Sequence, residues 1–158
     1  MTVNVLFVCL GNICRSPTAD GIFRERVASA GLQQQIGVDS AGTGDWHVGR
    51  APDSRTIAAA ARRGYDLSPL RARQVGEADF QEFDYVLAMD KSNLSHLRRL
   101  APANYPGHLG LLLDFVPHVG LREVPDPYYG GAQGFEQVLD LVELAADELL
   151  KHIRQKHF

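Results

Sequence analysis

Short apolar runs recur along the chain, separated by segments in which apolar residues follow a helical spacing. Val3–Cys9 is almost continuously apolar and rich in β-branched residues, which predicts a strand covered on both faces, as in a parallel sheet. Residues 36–41 and 84–89 predict two more strands. Residues 109–115 predict a fourth, shorter strand, although loop packing would also explain that apolar run.

Helices are predicted between these runs. The first begins near Pro17, since proline suits the first turn of a helix, and it ends at Gly31. Residues 135–153 carry the clearest apolar stripe of the chain. Residues 117–134, rich in proline, glycine and tyrosine, are predicted to form a structured loop. The remaining predicted helices cover residues 52–63, 77–83 and 92–100.

This alternation of strands and helices predicts an α/β fold with a parallel sheet and right-handed crossovers. The chain has 158 residues, near the usual size of one domain, and no linker, repeat or low-complexity tract divides it. We therefore predict a single domain over residues 1–158.

Composition limits the classes of function. Apolar residues make up 45% and charged residues 22%, and the net charge of −3 gives no general attraction to nucleic acid or anionic membrane. No run approaches the roughly 20 apolar residues of a membrane span, and no basic leader precedes the first apolar run. We expect a cytoplasmic monomer with two reduced cysteines and no nucleic-acid or membrane partner.

The loop between the first strand and the first helix, residues 8–17 (VCLGNICRSP), carries the candidate chemistry. Cys9 falls at the carboxyl end of the strand, where ligands bind in open α/β sheets. The amides of residues 10–15 can surround an anion, at which the following helix directs its positive end. Gly11 and Asn12 tolerate the unusual backbone angles of such a loop. The sequence therefore predicts an anion site.

Cys9 and Arg15 fit phosphoryl transfer. A free thiol is only a few per cent ionised at neutral pH, so a nucleophilic cysteine needs donors that stabilise its thiolate. A helix terminus supplies about 0.3–2 kcal/mol, and charge-assisted hydrogen bonds from loop amides and the Ser16 hydroxyl supply about 1.5–3 kcal/mol each. Arg15 offers a planar fork for two phosphoryl oxygens. The alternative interpretation is a buried core cysteine near a solvated arginine.

At these residues the chain resembles the low-molecular-weight protein tyrosine phosphatases, whose signature loop matches residues 8–17. The resemblance implies a four-stranded parallel sheet flanked by helices on both faces, the phosphotyrosine protein phosphatase I-like fold. It also implies a cysteine-dependent enzyme without metal or other cofactor that hydrolyses phosphotyrosine in proteins or peptides and small aryl phosphates. Further matching blocks follow in family order at residues 40–43 (SAGT), 46–53 (WHVGRAPD), 72–74 (ARQ), 89–90 (MD) and 126–130 (DPYYG).

The resemblance assigns the chemistry to three residues. Cys9 attacks phosphorus to form a phosphocysteine, and Arg15 clamps the phosphoryl group. Asp126 protonates the departing phenolate and then takes a proton from the water that hydrolyses the intermediate. Without the family, the Asp-Pro pair at residues 126–127 would predict only a turn. The implied phosphate-binding loop is completed by Leu10, Gly11, Asn12, Ile13, Cys14 and Ser16.

Other positions concern the shape of that loop. In the family, residues at the positions of Asn12 and Ser40 hold the loop through hydrogen bonds. A histidine often completes the network where this chain has Leu70, so we expect a smaller network here. Asp90 is predicted either to brace Arg15 or the loop, or to cap the end of the third strand.

The resemblance also implies that Trp46, Tyr128 and Tyr129 line the mouth of the cleft, where flat aromatic walls would contact a phenyl phosphate along its ring. Core packing is the alternative, but flanking glycine, proline and charged residues favour loops. Trp46 also favours a general small tyrosine phosphatase over the branch paired with polysaccharide-export kinases.

Cys14 has two interpretations. It is a candidate redox partner of Cys9, because a reversible disulfide would protect the nucleophile from over-oxidation, as in family members with both cysteines. It is explained equally well as a small buried residue that fills space.

Other functions fit the sequence less well. Arsenate reductases with a similar fold and first loop use further cysteines, and none follows Cys14. A non-catalytic oxyanion binder would need neither Cys9 nor Asp126. The six histidines are scattered and match no metal site, and residues 42–44 (GTG) lack the rest of a dinucleotide fingerprint. The predicted solvated surface charges include Arg71, Arg73, Arg98 and Arg99.

Overall fold

The strands of the protein form one parallel sheet. The computed structural model describes residues 2–128 and 130–158. The strands are β1 (Val3–Cys9), β2 (Ile36–Gly42), β3 (Tyr85–Ala88) and β4 (His108–Leu111). They lie in the order β2-β1-β3-β4, and every neighbouring pair is parallel. The predicted α/β fold with a four-stranded parallel sheet is confirmed.

Helices cover both faces of this sheet. They are α1 (Arg15–Ser29), α2 (Ser54–Ala61), α3 (Asp79–Glu82), α4 (Lys91–Leu100) and α5 (Ala132–His157). Helix α1 begins two residues before Pro17, whose missing N–H still falls among the first-turn donors that have no partner within a helix. Helix α5 extends beyond the predicted residues 135–153 at both ends. None of the helices within the described residues combines the length and apolar character of a membrane span.

The prediction of a strand over residues 109–115 is wrong in its second half. Strand β4 ends at Leu111, and Leu112–Phe115 forms a 3₁₀ turn. Strand β4 ends there because its neighbour β3 ends at Ala88, the residue that pairs with Leu111. Beyond that residue β3 offers no further backbone partner. Leu112 and Leu113 are instead buried in the apolar layer that contains α5.

The sheet separates two apolar layers, and β1 contributes to both. Val5 and Phe7 belong to the layer with α1 and α5, whereas Leu6 and Val8 belong to the layer with α3 and α4. All four side chains are almost completely buried. Burial of an apolar side chain of this size contributes about 1.5–3 kcal/mol. The central strand is therefore fixed on both faces, and its carboxyl end is fixed with it.

The carboxyl end of β1 lies against that of β2. Cys9 pairs with Gly42, and beyond the strands Thr43 N donates to Cys9 O at 2.9 Å and Gly44 N donates to Leu10 O at 2.9 Å. A Cβ atom on Gly42 would lie 2.8 Å from the carbonyl oxygen of Leu10. Glycine at this position allows the loop after β1 to lie directly on the end of β2.

Gly42→Ala should lower the free energy of unfolding by about 1–3 kcal/mol, because the added methyl group meets main-chain atoms that cannot rotate away. Urea unfolding of the purified variant measures the change. Gly76→Ala is the matched control, since a Cβ atom there meets no atom within 4 Å. Equal stability of the two variants would contradict the close approach.

Candidate active site

Cys9 and Ser16 form the centre of the site. The Cys9 sulfur lies 3.0 Å from Ser16 Oγ, and both residues are buried. Ser16 is the second residue of α1, so the strand and the helix position the two side chains independently of each other. A longer contact of 3.4 Å joins Ser16 Oγ to the carbonyl oxygen of Ala41. Of these two possible acceptors, the sulfur is the nearer to the hydroxyl.

The buried side chain of Asn12 stabilises the conformation of the loop between β1 and α1. It has a φ of 58°, in the left-handed region that asparagine tolerates better than most residues. Its Nδ2 donates to Ser16 Oγ at 2.8 Å and to Ser40 Oγ at 3.1 Å, and its Oδ1 accepts from Arg73 N at 3.0 Å. Asn12 and Ser16 are buried and do not line the cleft, so their contacts support the loop rather than face a ligand.

Arg15 is buried at the start of α1 and is held by several oxygens. Its Nη1 donates to Asp90 Oδ2 at 2.7 Å and to Val124 O at 3.0 Å. Its Nη2 lies 3.7 Å from Asp126 Oδ2. Asp90 also caps α4, because its Oδ1 accepts from Asn93 N at 2.8 Å. Asp90 thus contacts both Arg15 and the first turn of α4, the helix that follows β3.

The charge of Arg15 is kept by the anions around it. Burial disfavours the charged guanidinium, but the charges of Cys9, Asp90 and Asp126 act against that effect and raise the pKa of Arg15 above its ordinary value. A permanent, buried cation beside the sulfur can balance a thiolate and a bound phosphoryl group.

Asp126 lies in the loop before α5. We call residues 126–128 the acid loop. The Asp126 Oδ1 atom accepts a hydrogen bond from Tyr128 N at 3.0 Å, which closes a short turn. The other carboxyl oxygen is the one near Arg15, and the side chain is 37% exposed. The structure therefore brings a carboxyl group within reach of both the buried cation and solvent.

A cleft of about 200 Å³ opens above the sulfur. Trp46 is 61% exposed, and its ring lies against Gly44, where a Cβ atom would come within 2.3 Å of it. Tyr128 is 36% exposed. Tyr129 lies outside the described residues. The residues that line the cleft are Cys9, Leu10, Gly11, Ile13, Cys14, Arg15, Trp46, His47, Asp126 and Tyr128.

Two contributions to the site were missed from the sequence. His47 lines the cleft, and its ring would be 3.0 Å from a Cβ atom on Gly11. Its place next to Trp46 was the available signal. The carbonyl oxygen of Val124 binds Arg15, and no sequence pattern indicates that contact.

Cys14 is buried beside the cleft. Burial raises the pKa of its thiol to about 12, and the charges of Asp53 and Cys9 act in the same direction. Cys14 is therefore a neutral thiol at physiological pH, unsuited to act as the attacking nucleophile.

The prediction that Arg73 is a solvated surface charge is wrong. Its side chain is 35% exposed and lies 3.0 Å from Asp79 and 3.1 Å from Asp39. Because its backbone N–H also binds Asn12, these ion pairs help to fix the segment that supports the loop. Leu70, where the family often has histidine, packs against the apolar core instead.

Metal ligation has no candidate group in the described part of the chain. Within residues 2–128 and 130–158, no three histidine, cysteine, aspartate or glutamate side chains lie together in a way that could hold a metal ion. The groups that meet at the cleft include the Cys9 thiol, the Arg15 guanidinium and the Asp126 carboxyl group.

Known proteins are similar to this chain in sequence over nearly their full lengths. The low-molecular-weight protein-tyrosine-phosphatase YfkJ of Bacillus subtilis is 45% identical over 154 residues, which cover 98% of this chain and 97% of that protein. The low-molecular-weight protein-tyrosine-phosphatase of Streptomyces coelicolor is 48% identical over 159 residues, which cover 99% of this chain and 96% of that protein.

Solved structures agree with these matches. The crystal structure of YfkJ superposes with a TM-score of 0.94 at 43% identity, covering 100% of this chain and 98% of YfkJ. DARP, named a Drosophila arginine phosphatase, superposes with a TM-score of 0.89 at 33% identity, covering 96% and 98% of the two chains. The family model described as low molecular weight phosphotyrosine protein phosphatase matches residues 4–157. The chain therefore belongs to the low-molecular-weight phosphotyrosine protein phosphatases, a family of hydrolases.

Proposed function

We propose that the protein hydrolyses phosphotyrosine through a phosphocysteine on Cys9, with Arg15 as the phosphate clamp and Asp126 as the general acid and base. The observation that carries this proposal is the meeting of these three side chains at one cleft of about 200 Å³. A nucleophile, a fixed cation and a carboxyl group are the parts that metal-free phosphoryl transfer requires.

The loop prepares the nucleophile before a substrate arrives. Ser16 Oγ accepts a hydrogen bond from Asn12 and lies closer to the Cys9 sulfur, at 3.0 Å, than to the Ala41 carbonyl oxygen, at 3.4 Å, so its one hydrogen can be donated to the sulfur. A hydrogen bond to a charged group contributes about 1.5–3 kcal/mol, so this contact would stabilise the sulfur when it leaves phosphorus as an anion. Loop amides and Arg15 then stabilise the charge that develops on the nonbridging phosphoryl oxygens.

In the first step the sulfur–phosphorus bond forms while the bond between phosphorus and the phenolic oxygen breaks. The electron pair of the breaking bond stays on that oxygen, and protonated Asp126 donates its hydrogen there, so phenol leaves. In the second step water attacks phosphorus and Asp126 takes a proton from that water. The sulfur leaves as the thiolate, and inorganic phosphate is the product.

The walls of the cleft favour an aryl ester. A phenyl phosphate that reaches the sulfur would contact the rings of Trp46 and Tyr128. A phosphoserine would leave both rings exposed to water, and its short side chain would not reach as deep into the cleft. Phosphotyrosine in proteins or peptides is therefore the proposed substrate, in line with the relatives named tyrosine phosphatases. Because DARP is named an arginine phosphatase, phosphoarginine is the comparison substrate to assay.

The alternative functions have less support. Arsenate reduction needs further cysteines to pass on oxidising equivalents, and the sequence has none after Cys14. Simple oxyanion binding gives no reason for a carboxyl group 3.7 Å from the clamp, since its charge would repel the ligand. The cytoplasmic placement and the monomeric state expected from composition stay predictions.

The redox role of Cys14 also stays a prediction. Only a thiolate attacks an oxidised sulfur efficiently, and the raised pKa of Cys14 keeps its proton in place. Condensation with a Cys9 sulfenic acid would join the two sulfurs and release the sulfenic oxygen as water, which takes up the Cys14 proton. Removal of that buried proton would limit the rate of protection.

Cys9→Ser should reduce phosphate release from p-nitrophenyl phosphate by more than about 10³-fold, because a serine hydroxyl is a far weaker nucleophile here. Acid quenching during turnover, followed by mass spectrometry, should find one phosphoryl group on the Cys9 peptide of the unmodified enzyme. Cys14→Ser is the control and should still form that adduct. An adduct on any other residue would sink the proposed nucleophile.

Asp126→Asn should lower kcat/KM for phenyl phosphate by about 10²–10⁴-fold and for p-nitrophenyl phosphate by much less, because nitrophenolate departs with little help from a proton. Steady-state rates on the two esters measure the difference. Asp114→Asn is the matched control, an exposed aspartate paired with Arg122 in the 3₁₀ turn after β4. Equal losses on both esters would rule out a general acid at position 126.

A further inference from the structure

Arg55 contacts the acid loop although it is not one of the described residues that line the cleft. It lies in the first turn of α2, and its Nε and Nη2 contact the two carboxyl oxygens of Asp53, each at 3.0 Å. Its Nη2 also donates to the carbonyl oxygen of Tyr128 at 3.1 Å. The side chain is 47% exposed, yet these acceptors define its position.

Two aromatic rings complete the surroundings of the Arg55 guanidinium. Its Cζ lies 5.4 Å from the ring centroid of Tyr128 and 4.9 Å from that of Phe135. Phe135 is buried in the first turns of α5 and is therefore a fixed platform. A planar guanidinium can stack on rings and keep a two-point contact with a carboxylate at the same time, which an ammonium group cannot do.

These contacts link the two loops of the active site. On one side, Asp53 N donates to the carbonyl oxygen of Ile13 in the phosphate-binding loop at 2.8 Å. On the other side, Tyr128 N holds Asp126 Oδ1 at 3.0 Å. Asp53 and Arg55 therefore connect the backbone around the nucleophile with the backbone that orients the carboxyl group.

We infer that Arg55 is a positioning residue that sets the distance of Asp126 from the reacting phosphate by fixing the acid loop to α2. This inference rests on the proposed role of Asp126 as the general acid. An exposed ion pair contributes little to stability, so the effect of Arg55 on folding is small. Its effect on rate is larger, since misplacing a catalytic group by about 1 Å can cost as much as 10²-fold.

The test is Arg55→Ala, assayed with phenyl phosphate and p-nitrophenyl phosphate. We expect kcat/KM for phenyl phosphate to fall roughly tenfold further than kcat/KM for p-nitrophenyl phosphate, because only the poorer leaving group depends strongly on a placed acid. The two esters have rings of similar size, so a changed contact with Tyr128 affects both alike. In an Asp126→Asn background, Arg55→Ala should not change the ratio any further.

Two matched variants separate position from charge. Arg62→Ala removes an arginine at the other end of α2, which pairs with Glu136 at 3.1 Å, and should leave the ratio of the two rates unchanged. Arg55→Lys keeps the positive charge but loses the planar fork, and it should shift the ratio nearly as far as Arg55→Ala. If Arg55 only attracted anionic substrates, the lysine variant would retain the original rates.

Equal losses on both esters in Arg55→Ala, or a further shift of the ratio in the double variant, would overturn the inference. Thermal unfolding of each variant checks the fold, and Arg55→Lys carries the test should the alanine variant unfold. If the proposed role of Asp126 is wrong instead, Asp126→Asn alone will leave the ratio of kcat/KM for the two esters unchanged.

Discussion

The whole site depends on one buried side chain, that of Asn12, held at a φ of 58°. A left-handed residue turns the loop back on itself, and the Asn12 amide then joins Ser16, Ser40 and the backbone of Arg73. Each of these partners belongs to a different part of the chain, and a buried polar group left unpaired costs about 1–3 kcal/mol. The start of α1, the end of β2 and the segment before α3 are consequently held together by one amide group.

The buried charge of Arg15 is also held by partners from other parts of the chain. A buried guanidinium without partners would be strongly unfavourable, so Arg15 is stable only because Asp90 and the carbonyl oxygen of Val124 accept from it. Asp90 is itself fixed, since its other oxygen caps α4 through Asn93. The orientation of the cation is thus set by the fold before any anion binds. Catalysis gains from such fixed charges because they need no rearrangement during the reaction.

The sequence patterns that predicted this site are local ones. A buried strand, a glycine and asparagine pair and a helix start follow each other within a few residues, so Cys9 and Arg15 could be assigned from their neighbours. Asp126 could not, because a single Asp-Pro pair has the pattern of a turn, and only the family resemblance pointed to it. Arg73 was misassigned because its pairing with Asp39, 34 residues earlier in the chain, depends on the tertiary fold. The end of β4 was missed because the length of β3 determines it.

Backbone hydrogen bonds at the carboxyl ends of the two central strands affect how readily the site opens. The hydrogen bonds from Thr43 N to Cys9 O and from Gly44 N to Leu10 O continue the pairing of the two central strands past their ends. Cys9, the proposed nucleophile, thus lies at the end of a buried central strand, and opening of core strands costs nearly as much as global unfolding. Asp126, the proposed general acid, lies in a surface loop instead. Motions on the time scale of turnover should therefore displace the Asp126 carboxyl group, as far as its contacts allow, more than the Cys9 sulfur.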